Sequence, residues 1–174
     1  MIQKNFQHRH DFEKALVKGK IGEDIVRRYL EEKGYVVYKP VTEGAHAFDI
    51  LAVKDKKTVI IADVKTKARR NYFPDTGINY KHYVEYKAIS EKHCLPVFLI
   101  FVDEMIGQVY GNILDDLEKP CVVVHNNRII EYPLMYKGII YFPLFKMIFF
   151  GQLTEFERMQ LKEVSQRSYA YIYK

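Results

Sequence analysis

The sequence predicts an α/β fold in which helices flank a central mixed β-sheet. Three observations support this prediction: a helical apolar period near the N-terminus, two strand-like runs joined by a short turn, and a strongly apolar run behind a second helical segment. The predicted order is α-β-β-β-α-β-β, at residues 20–33, 35–38, 47–53, 58–65, 80–93, 96–102 and 108–114.

The first helix is predicted from its apolar spacing. Ile21, Ile25 and Tyr29 follow one another at intervals of four residues, which places them on one face of a helix. Gly34 then supplies a C-terminal stop. A short β-rich run at residues 35–38 follows, and a proline ends it.

The second and third strands are predicted to form a hairpin. Four residues, 54–57, separate the runs at 47–53 and 58–65, a length typical of a tight antiparallel turn. The polar residues around Gly77, beyond the third strand, predict a loop.

The last third of the chain is predicted to form a C-terminal β/α extension on the same domain. Short strands are expected near residues 121–124, 128–132 and 138–142. Thr154 and Glu157 have the spacing of a capping box, which predicts a helix running to about residue 168. We therefore divide the chain into a core at residues 1–118 and an extension at residues 119–174.

Length and composition predict one globular domain. The chain has 174 residues, of which 48% are hydrophobic and 28% charged. The first 93 residues hold 19 Lys and Arg against 13 Asp and Glu, a net charge of +6, whereas the whole chain carries +5. Clustered positive charge is typical of proteins that bind a phosphate backbone, although ordinary solvated lysines produce the same balance.

The sequence predicts a cytoplasmic protein with no membrane association. No apolar run reaches the roughly 18 residues that a membrane span requires, and the N-terminal residues lack a signal-peptide core. Cys94 and Cys121 have no CxxC spacing, so reduced thiols in the cytosol are the simplest interpretation.

Asp63 and Lys65 are the first candidate site residues. The pattern Asp/Glu-x-Lys occurs four times and is weak as a string, but only this copy ends a run, 59–62, that is apolar on both faces. Alternation along a strand puts Asp63 and Lys65 on the same face as Ile61. Charged groups on a buried strand face are costly unless they are paired or bind a metal, and that cost indicates a function.

The hairpin supplies a partner in Asp49. If the turn centres on Lys56, positions 49 and 63 lie opposite each other, since each is seven residues from the centre. Asp49, Asp63 and Lys65 then converge on one patch, whereas a one-residue slip of register would move Asp49 to the other face.

Two close carboxylates and a lysine suit metal-assisted phosphate chemistry. Mg²⁺ prefers oxygen ligands and relieves the repulsion between carboxylates, and the backbone carbonyl of Val64 is a further candidate ligand. Lys65 would orient the attacking water or stabilise charge on the phosphate. The alternative is a buried salt bridge between Lys65 and a carboxylate, with no chemistry.

These motifs resemble those of the PD-(D/E)XK nuclease superfamily, most closely its Holliday-junction-resolvase-like and small bacterial endonuclease-like branches. The resemblance covers about residues 18–110, and Phe48 stands in place of the proline. It is carried by the segments Gly-Lys-Ile-Gly-Glu at 19–23, Phe-Asp-Ile-Leu at 48–51 and Ile-Ala-Asp-Val-Lys-Thr-Lys at 61–67.

The resemblance implies a restriction-endonuclease-like core and a catalytic set of Glu23, Asp49, Asp63 and Lys65. It implies that Glu23, Asp49, Asp63 and the Val64 carbonyl bind Mg²⁺, with Mn²⁺ able to substitute. For Glu23, the residue pattern alone favours a solvent-facing glutamate in a first helical turn.

The resemblance further implies an endonuclease that hydrolyses DNA phosphodiester bonds in recombination, repair or restriction. One alternative is a non-catalytic nucleic-acid-binding module on a nuclease fold. Another is an unrelated α/β domain with a buried ion pair. A resolvase would act as a homodimer to cut two strands symmetrically, and the apolar run at residues 139–150 is either a dimer surface or core.

Basic residues beyond the candidate site are possible DNA contacts. Lys67, Arg69 and Arg70 leave the third strand, and Lys81 begins the second helix. Each would grip a phosphate, or else belong to a solvated surface. Two aromatic residues at 72 and 73 would stack on a base or fill the core.

Overall fold

A mixed six-stranded sheet forms the centre of the protein. The computed structural model describes residues 2–40, 48–55 and 57–165, with side chains from residue 12 onward. The elements are α1 (Ile2–Glu32), β1 (Val36–Tyr38), β2 (Ile50–Lys54), β3 (Thr58–Thr66), β4 (Asp75–Asn79), α2 (Tyr80–His93), β5 (Val97–Asp103), β6 (Gln108–Ile113), α3 (Leu114–Leu117), β7 (Cys121–His125), β8 (Arg128–Tyr132), β9 (Leu134–Tyr136), β10 (Ile139–Pro143), a 3₁₀ turn (Leu144–Lys146), β11 (Ile148–Gln152) and α4 (Glu155–Val164).

The order of the strands confirms the predicted mixed α/β architecture. The large sheet runs β1-β2-β3-β5-β6-β11. β3 and β5 are parallel, and the other neighbours are antiparallel. The parallel pair is made possible by the crossover through β4 and α2, because parallel neighbours need a long connection.

Helices cover both faces of this sheet. On one face, Ile25 and Val26 of α1 pack with Ala62, Val64 and neighbouring strand residues, and α4 joins the same cluster. On the other face, Tyr86 of α2 packs with Ile61 and Leu99, together with residues of α3 and β10. Successive residues of β3 therefore point to opposite layers.

The first helix is longer than its apolar pattern predicts. It begins at Ile2 instead of residue 20. Phe12 and Leu16, which precede the predicted start of the helix, are exposed. The apolar stripe marked only the part that is buried, because periodicity reports packing and not helix length. Among the described residues, no helix is both long enough and apolar enough to cross a membrane.

The predicted loop around Gly77 is wrong. Residues Asp75–Asn79 form β4, which pairs with β10 in a separate three-stranded sheet. Gly77 lies opposite Tyr141, and a Cβ at this position would overlap the carbonyl oxygen of Ile140. A polar strand that contains glycine lacks the usual β signal, and its partner is some sixty residues away in the sequence.

The C-terminal part of the chain adds to both sheets. β11 pairs with β6 at the edge of the large sheet, while β10 joins β4. The predicted capping box opens α4, where Thr154 and Glu157 exchange side-chain and backbone hydrogen bonds. The apolar run at 139–150 is divided accordingly: Phe142 is buried, and Phe149 is 55% exposed. The boundary at residue 118 stays a prediction. The helix α4 ends at Val164, before the predicted end near residue 168, and Ser165 caps it in an extended conformation.

Two glycines of α1 allow a test of how closely this helix packs on the sheet. A Cβ on Gly22 would overlap the Thr66 hydroxyl, whereas a Cβ on Gly19 would meet nothing within 4 Å. Gly22→Ala should therefore destabilise the protein by about 1–2 kcal/mol, because overpacking outweighs the gain in helix propensity. Gly19→Ala should stabilise it by about 0.5–1 kcal/mol. Urea denaturation of both variants measures the difference, and equal stabilisation would contradict the close packing.

Candidate active site

The register of the β2–β3 hairpin is the one expected from the length of its turn. The paired residues run from Ile50 with Ala62 to Lys54 with Thr58, so the turn centres on position 56. Just before the paired residues, the amide of Asp49 also donates to the carbonyl oxygen of Ala62, at 3.1 Å, which holds Asp49 at this end of the hairpin. The register predicted from the turn length is confirmed.

The three predicted residues converge at this end of the hairpin. The Asp49 Oδ2 atom accepts a hydrogen bond of 2.7 Å from the amide of Val64. Lys65 Nζ lies 2.9 Å from Oδ1 and 2.8 Å from Oδ2 of Asp63. The Asp63 side chain is 3% exposed and that of Lys65 is 26% exposed, so the lysine is the part of the pair that solvent or a substrate can reach.

A tyrosine that the sequence did not single out completes this group. Tyr86 on α2 donates its hydroxyl hydrogen to Asp63 Oδ1 at 2.5 Å and accepts a hydrogen bond from Lys65 Nζ at 3.1 Å. Burial, followed by the charge of Asp63, raises the pKa of Tyr86 far above its usual range, so the phenol remains protonated. A buried tyrosine needs a hydroxyl partner, but a helical pattern does not show which strand provides it.

Burial controls the electrostatics of Asp63. The pKa of this carboxyl is raised from 3.8 to about 6, mainly by its loss of solvation, and the neighbouring charge of Asp49 acts in the same direction. The Lys65 ammonium group and the Tyr86 hydrogen bond act in the opposite direction. Asp63 is thus a carboxylate whose charge is only partly compensated by its own surroundings.

The donor set fits a hard divalent cation. Oδ2 of Asp63 is buried and has no hydrogen-bond donor in favourable geometry, although the lysine charge is near. Asp49 contributes the second carboxylate. No group of three or more His, Cys, Asp or Glu residues converges on one point within the described parts of the chain. Mg²⁺ commonly uses one or two carboxylates and completes its octahedron with water and substrate oxygens, so two suffice.

Glu23 lies on the opposite face of the central sheet from Tyr86. It belongs to α1, which packs on that face. Its Oε2 atom is 3.5 Å from Lys39 Nζ, and the same lysine contacts Asp24 at 2.8 Å. The adjacent Gly22 packs against Thr66, the residue after Lys65. A metal-binding role for Glu23 stays a prediction.

Arg69 and Arg70 each form an ion pair within the fold, and their role as DNA contacts stays a prediction. Arg69 Nε donates at 2.8 Å to Asp103, and Arg70 Nε donates at 2.5 Å to Asp75. Both aspartates are completely buried. The Arg70 guanidinium group also stacks on the ring of Tyr141, 3.9 Å from its centre. These two cations compensate the charge of buried carboxylates. A run of basic residues in the sequence does not show which of them form such pairs.

The two predicted lysine contacts differ in their availability. Lys67 Nζ donates to the carbonyl oxygen of Gly77 at 2.8 Å and so joins the end of β3 to β4. The Lys81 side chain is 81% exposed, and its ion pair with Glu85 is long at 3.9 Å. Of the predicted phosphate contacts, Lys81 is therefore the most accessible.

Comparison with known proteins shows the fold. No protein-family model matches the chain, and no curated protein matches it. The solved structure of Hjc, a Holliday junction resolvase from the archaeal hyperthermophile Archaeoglobus fulgidus, is similar with a TM-score of 0.50 and 11% sequence identity. The similarity covers 74% of this chain and 90% of Hjc. The chain thus has a restriction-endonuclease-like fold, which confirms the fold expected from the motifs.

The burial of Asp63 predicts a specific pH dependence of stability in EDTA. Its pKa is higher in the folded protein than in the unfolded chain, so its contribution to stability is lost as pH rises from about 4 to about 6. Asp63→Asn should not show this loss. Between pH 4 and pH 7, its free energy of unfolding should therefore rise by about 2–3 kcal/mol relative to that of wild type. Denaturant unfolding across this range measures the change. Asp55→Asn in the exposed turn is the control, and parallel profiles for wild type and Asp63→Asn would contradict the burial effect.

Substitution of Arg70 should affect mainly stability, whereas substitution of Lys81 should affect mainly DNA binding. Arg70→Ala leaves Asp75 buried without its cation and should destabilise the protein by about 3 kcal/mol. Lys81→Ala should leave the melting temperature unchanged and weaken DNA binding. Thermal unfolding and a binding titration separate the two roles. An Arg70→Ala variant that is fully stable but binds DNA poorly would contradict the structural role and support the predicted role of Arg70 as a DNA contact.

Proposed function

We propose that this protein is a divalent-metal-dependent endonuclease that hydrolyses DNA phosphodiester bonds at the site formed by Asp49, Asp63 and Lys65. The observation that carries the proposal is the convergence of these groups at one end of the hairpin, where the buried Asp63 Oδ2 atom faces the Lys65 ammonium group at 2.8 Å and has no hydrogen bond of favourable geometry. A partly compensated carboxylate beside a second acid and an accessible lysine matches metal-assisted hydrolysis.

Asp49, Asp63, the carbonyl oxygen of Val64 and Glu23 would hold the cation, Mg²⁺ with Mn²⁺ as a substitute. When bound, the ion would offset phosphate charge and lower the pKa of a water molecule. Asp49 is oriented by the Val64 amide, and Asp63 by the Tyr86 hydroxyl. These hydrogen bonds hold both carboxylates in place before any substrate arrives.

Lys65 is the group that would act on the reacting phosphate. Its ammonium group is fixed by Asp63 and Tyr86, and its side chain remains 26% exposed. From this position it would orient the attacking water and stabilise the negative charge that develops on the phosphate oxygens. Tyr86 is a positioning residue, since it acts through Asp63 and Lys65.

A nucleic acid is the substrate class that the charge distribution favours. The first 93 residues carry a net +6, with Lys81 exposed at the start of α2. The structural neighbour is a Holliday junction resolvase, which makes branched DNA the first substrate to test. Symmetrical cutting of a junction would need a homodimer. Cys94 and Cys121 are free thiols, as expected for an enzyme of the cytoplasm.

A cleavage assay tests the proposal. The protein is incubated with plasmid, linear duplex, single-stranded and four-way-junction DNA, in Mg²⁺, in Mn²⁺ and in EDTA. We expect metal-dependent cutting that Lys65→Ala reduces by about 100-fold or more, since this substitution removes a charge aimed at the phosphate. Lys57→Ala is the matched control. Lys57 ends another copy of the Asp-x-Lys pattern, at residues 55–57, and its side chain is exposed in the turn.

The outcomes separate the candidate functions. Cutting that persists in EDTA or in Lys65→Ala would reject this site. Salt-sensitive binding without cutting of any substrate would favour a non-catalytic nucleic-acid-binding module. Neither cutting nor binding would reduce the carboxylates and lysine to a structural ion pair.

A further inference from the structure

A cavity of about 410 Å³ lies outside the candidate active site, between a loop and a hairpin tip. One wall is Tyr72 and Phe73, in the loop that leaves β3. The other wall is the turn between β7 and β8, with His125, Asn126 and Arg128. An aromatic wall facing a polar, cationic wall is a combination that suits a nucleotide.

The two aromatic residues of the loop have different environments. The Phe73 ring lies 4.2 Å from the Arg70 guanidinium group and packs against the cluster of Ile130 and Tyr132. Tyr72 is 83% exposed, and it makes no side-chain hydrogen bond or ring contact with any described residue. Phe73 therefore anchors the loop, and Tyr72 presents a bare aromatic face to solvent.

The opposite wall is a rigid turn. His125 pairs with Arg128 across it, and Asn126 and Asn127 both have positive φ, at 48° and 59°. Two such residues form the tight hairpin turn that matches the twist of the strands, and asparagine tolerates this conformation. The Asn126 side chain contacts the His125 ring at 3.2 Å, which fixes the tip further.

Arg128 is unusual among the arginines of this protein. Each of the other arginines whose side chains the structure describes donates a hydrogen bond to another residue: Arg27, Arg28, Arg69, Arg70 and Arg158. The Arg128 guanidinium group has no hydrogen bond or ion pair with the described part of the chain. It is an uncompensated cation at the mouth of a cavity, available to an external anion.

The walls of the cavity are held together by buried charge. Arg70 pairs with Asp75, and the Tyr132 hydroxyl donates to the same carboxylate at 2.7 Å. This joins β8 to the loop below Tyr72. The separation of the walls is thus set by the fold, so a ligand meets a preformed site.

We infer that this cavity binds an unstacked nucleotide of a DNA strand, with its base on Tyr72 and its phosphate on Arg128. Bases inside a duplex already stack on their neighbours and cannot offer a face to a side chain, so the ligand is a single-stranded segment. The inference rests on the proposed function, because the cavity would bind an unpaired segment of the same DNA that is cut at the proposed active site.

The position along the chain relates the cavity to the proposed cleavage site. Tyr72 follows Lys65 by seven residues, which limits the separation of their Cα atoms to about 25 Å. This distance corresponds to about seven nucleotides at about 3.4 Å each along a strand. A substrate with an unpaired segment within about seven nucleotides of the cut would engage both places.

Fluorescence anisotropy tests the inference with three probes: a 20-nucleotide oligothymidylate, a duplex of the same length and dTMP as competitor. Tyr72→Ala should weaken oligothymidylate binding by about tenfold, since a stacked base is lost, and should leave duplex binding unchanged. Arg128→Gln should lower the slope of log affinity against log salt by about 0.7, the value for one phosphate contact on a single strand.

Matched controls exclude general effects. Tyr38→Ala removes a tyrosine that is 55% exposed on β1, and Arg27→Gln removes one positive charge from α1. Both should bind oligothymidylate as wild type does. Thermal unfolding should show an unchanged melting temperature for Tyr72→Ala, because that side chain is largely in solvent.

Each result has a defined meaning. Wild-type affinity in both Tyr72→Ala and Arg128→Gln would overturn the inference, while metal-dependent cutting that Lys65→Ala abolishes would leave the proposed function intact. Competition by dTMP at the concentration of the oligonucleotide would overturn the assignment to a strand and indicate a free-nucleotide site. A wild-type protein that neither binds nor cuts any DNA would overturn both proposals.

Discussion

The antiparallel pairing of β2 with β3 is the constraint on which the rest of the site depends. Its register is centred on position 56, so Asp49 and Asp63 occupy the same end and the same side of the hairpin. A shift by one residue would reverse the orientation of every side chain on β2. It would also separate Asp49 Oδ2 from the Val64 amide. The chemistry proposed for this protein therefore follows from the geometry of one turn.

Both layers of the fold support that hairpin end. On one face, α2 brings Tyr86 to Asp63 and Lys65. On the other, α1 approaches β3 so closely that only glycine fits at position 22, against Thr66. The carboxylates are consequently placed by packed, hydrogen-bonded elements, as preorganised sites require. The strand β5 pairs with β3 on the side away from β2, and Asp63 on β3 is buried.

The buried ion pairs explain why basic residues of similar appearance have different roles. Arg69 and Arg70 neutralise Asp103 and Asp75, which are completely buried. Loss of either cation would leave a carboxylate in the protein interior, which is far less favourable than leaving it in water. Their charge is therefore directed inward. By contrast, Lys81 is largely exposed, and Arg128 lines a cavity without an ion pair to any described residue.

The sequence by itself determined the features that depend on local rules. Alternation and turn length gave the predicted hairpin register, so Asp49, Asp63 and Lys65 were brought together correctly, and the capping box located the start of α4. Apolar periodicity found the part of α1 that packs on the sheet but not the turns before it, since Phe12 and Leu16 there are exposed and add nothing to the buried stripe.

Only the tertiary structure decided the features that depend on a distant partner. β4 exists because β10 pairs with it, and Tyr86 joins the site because α2 lies over β3. The inward direction of Arg70 likewise depends on Asp75 and on Tyr141 in β10. A local pattern records which face of an element is apolar, but the partner of a polar group is chosen by which chain segments meet when the core is packed.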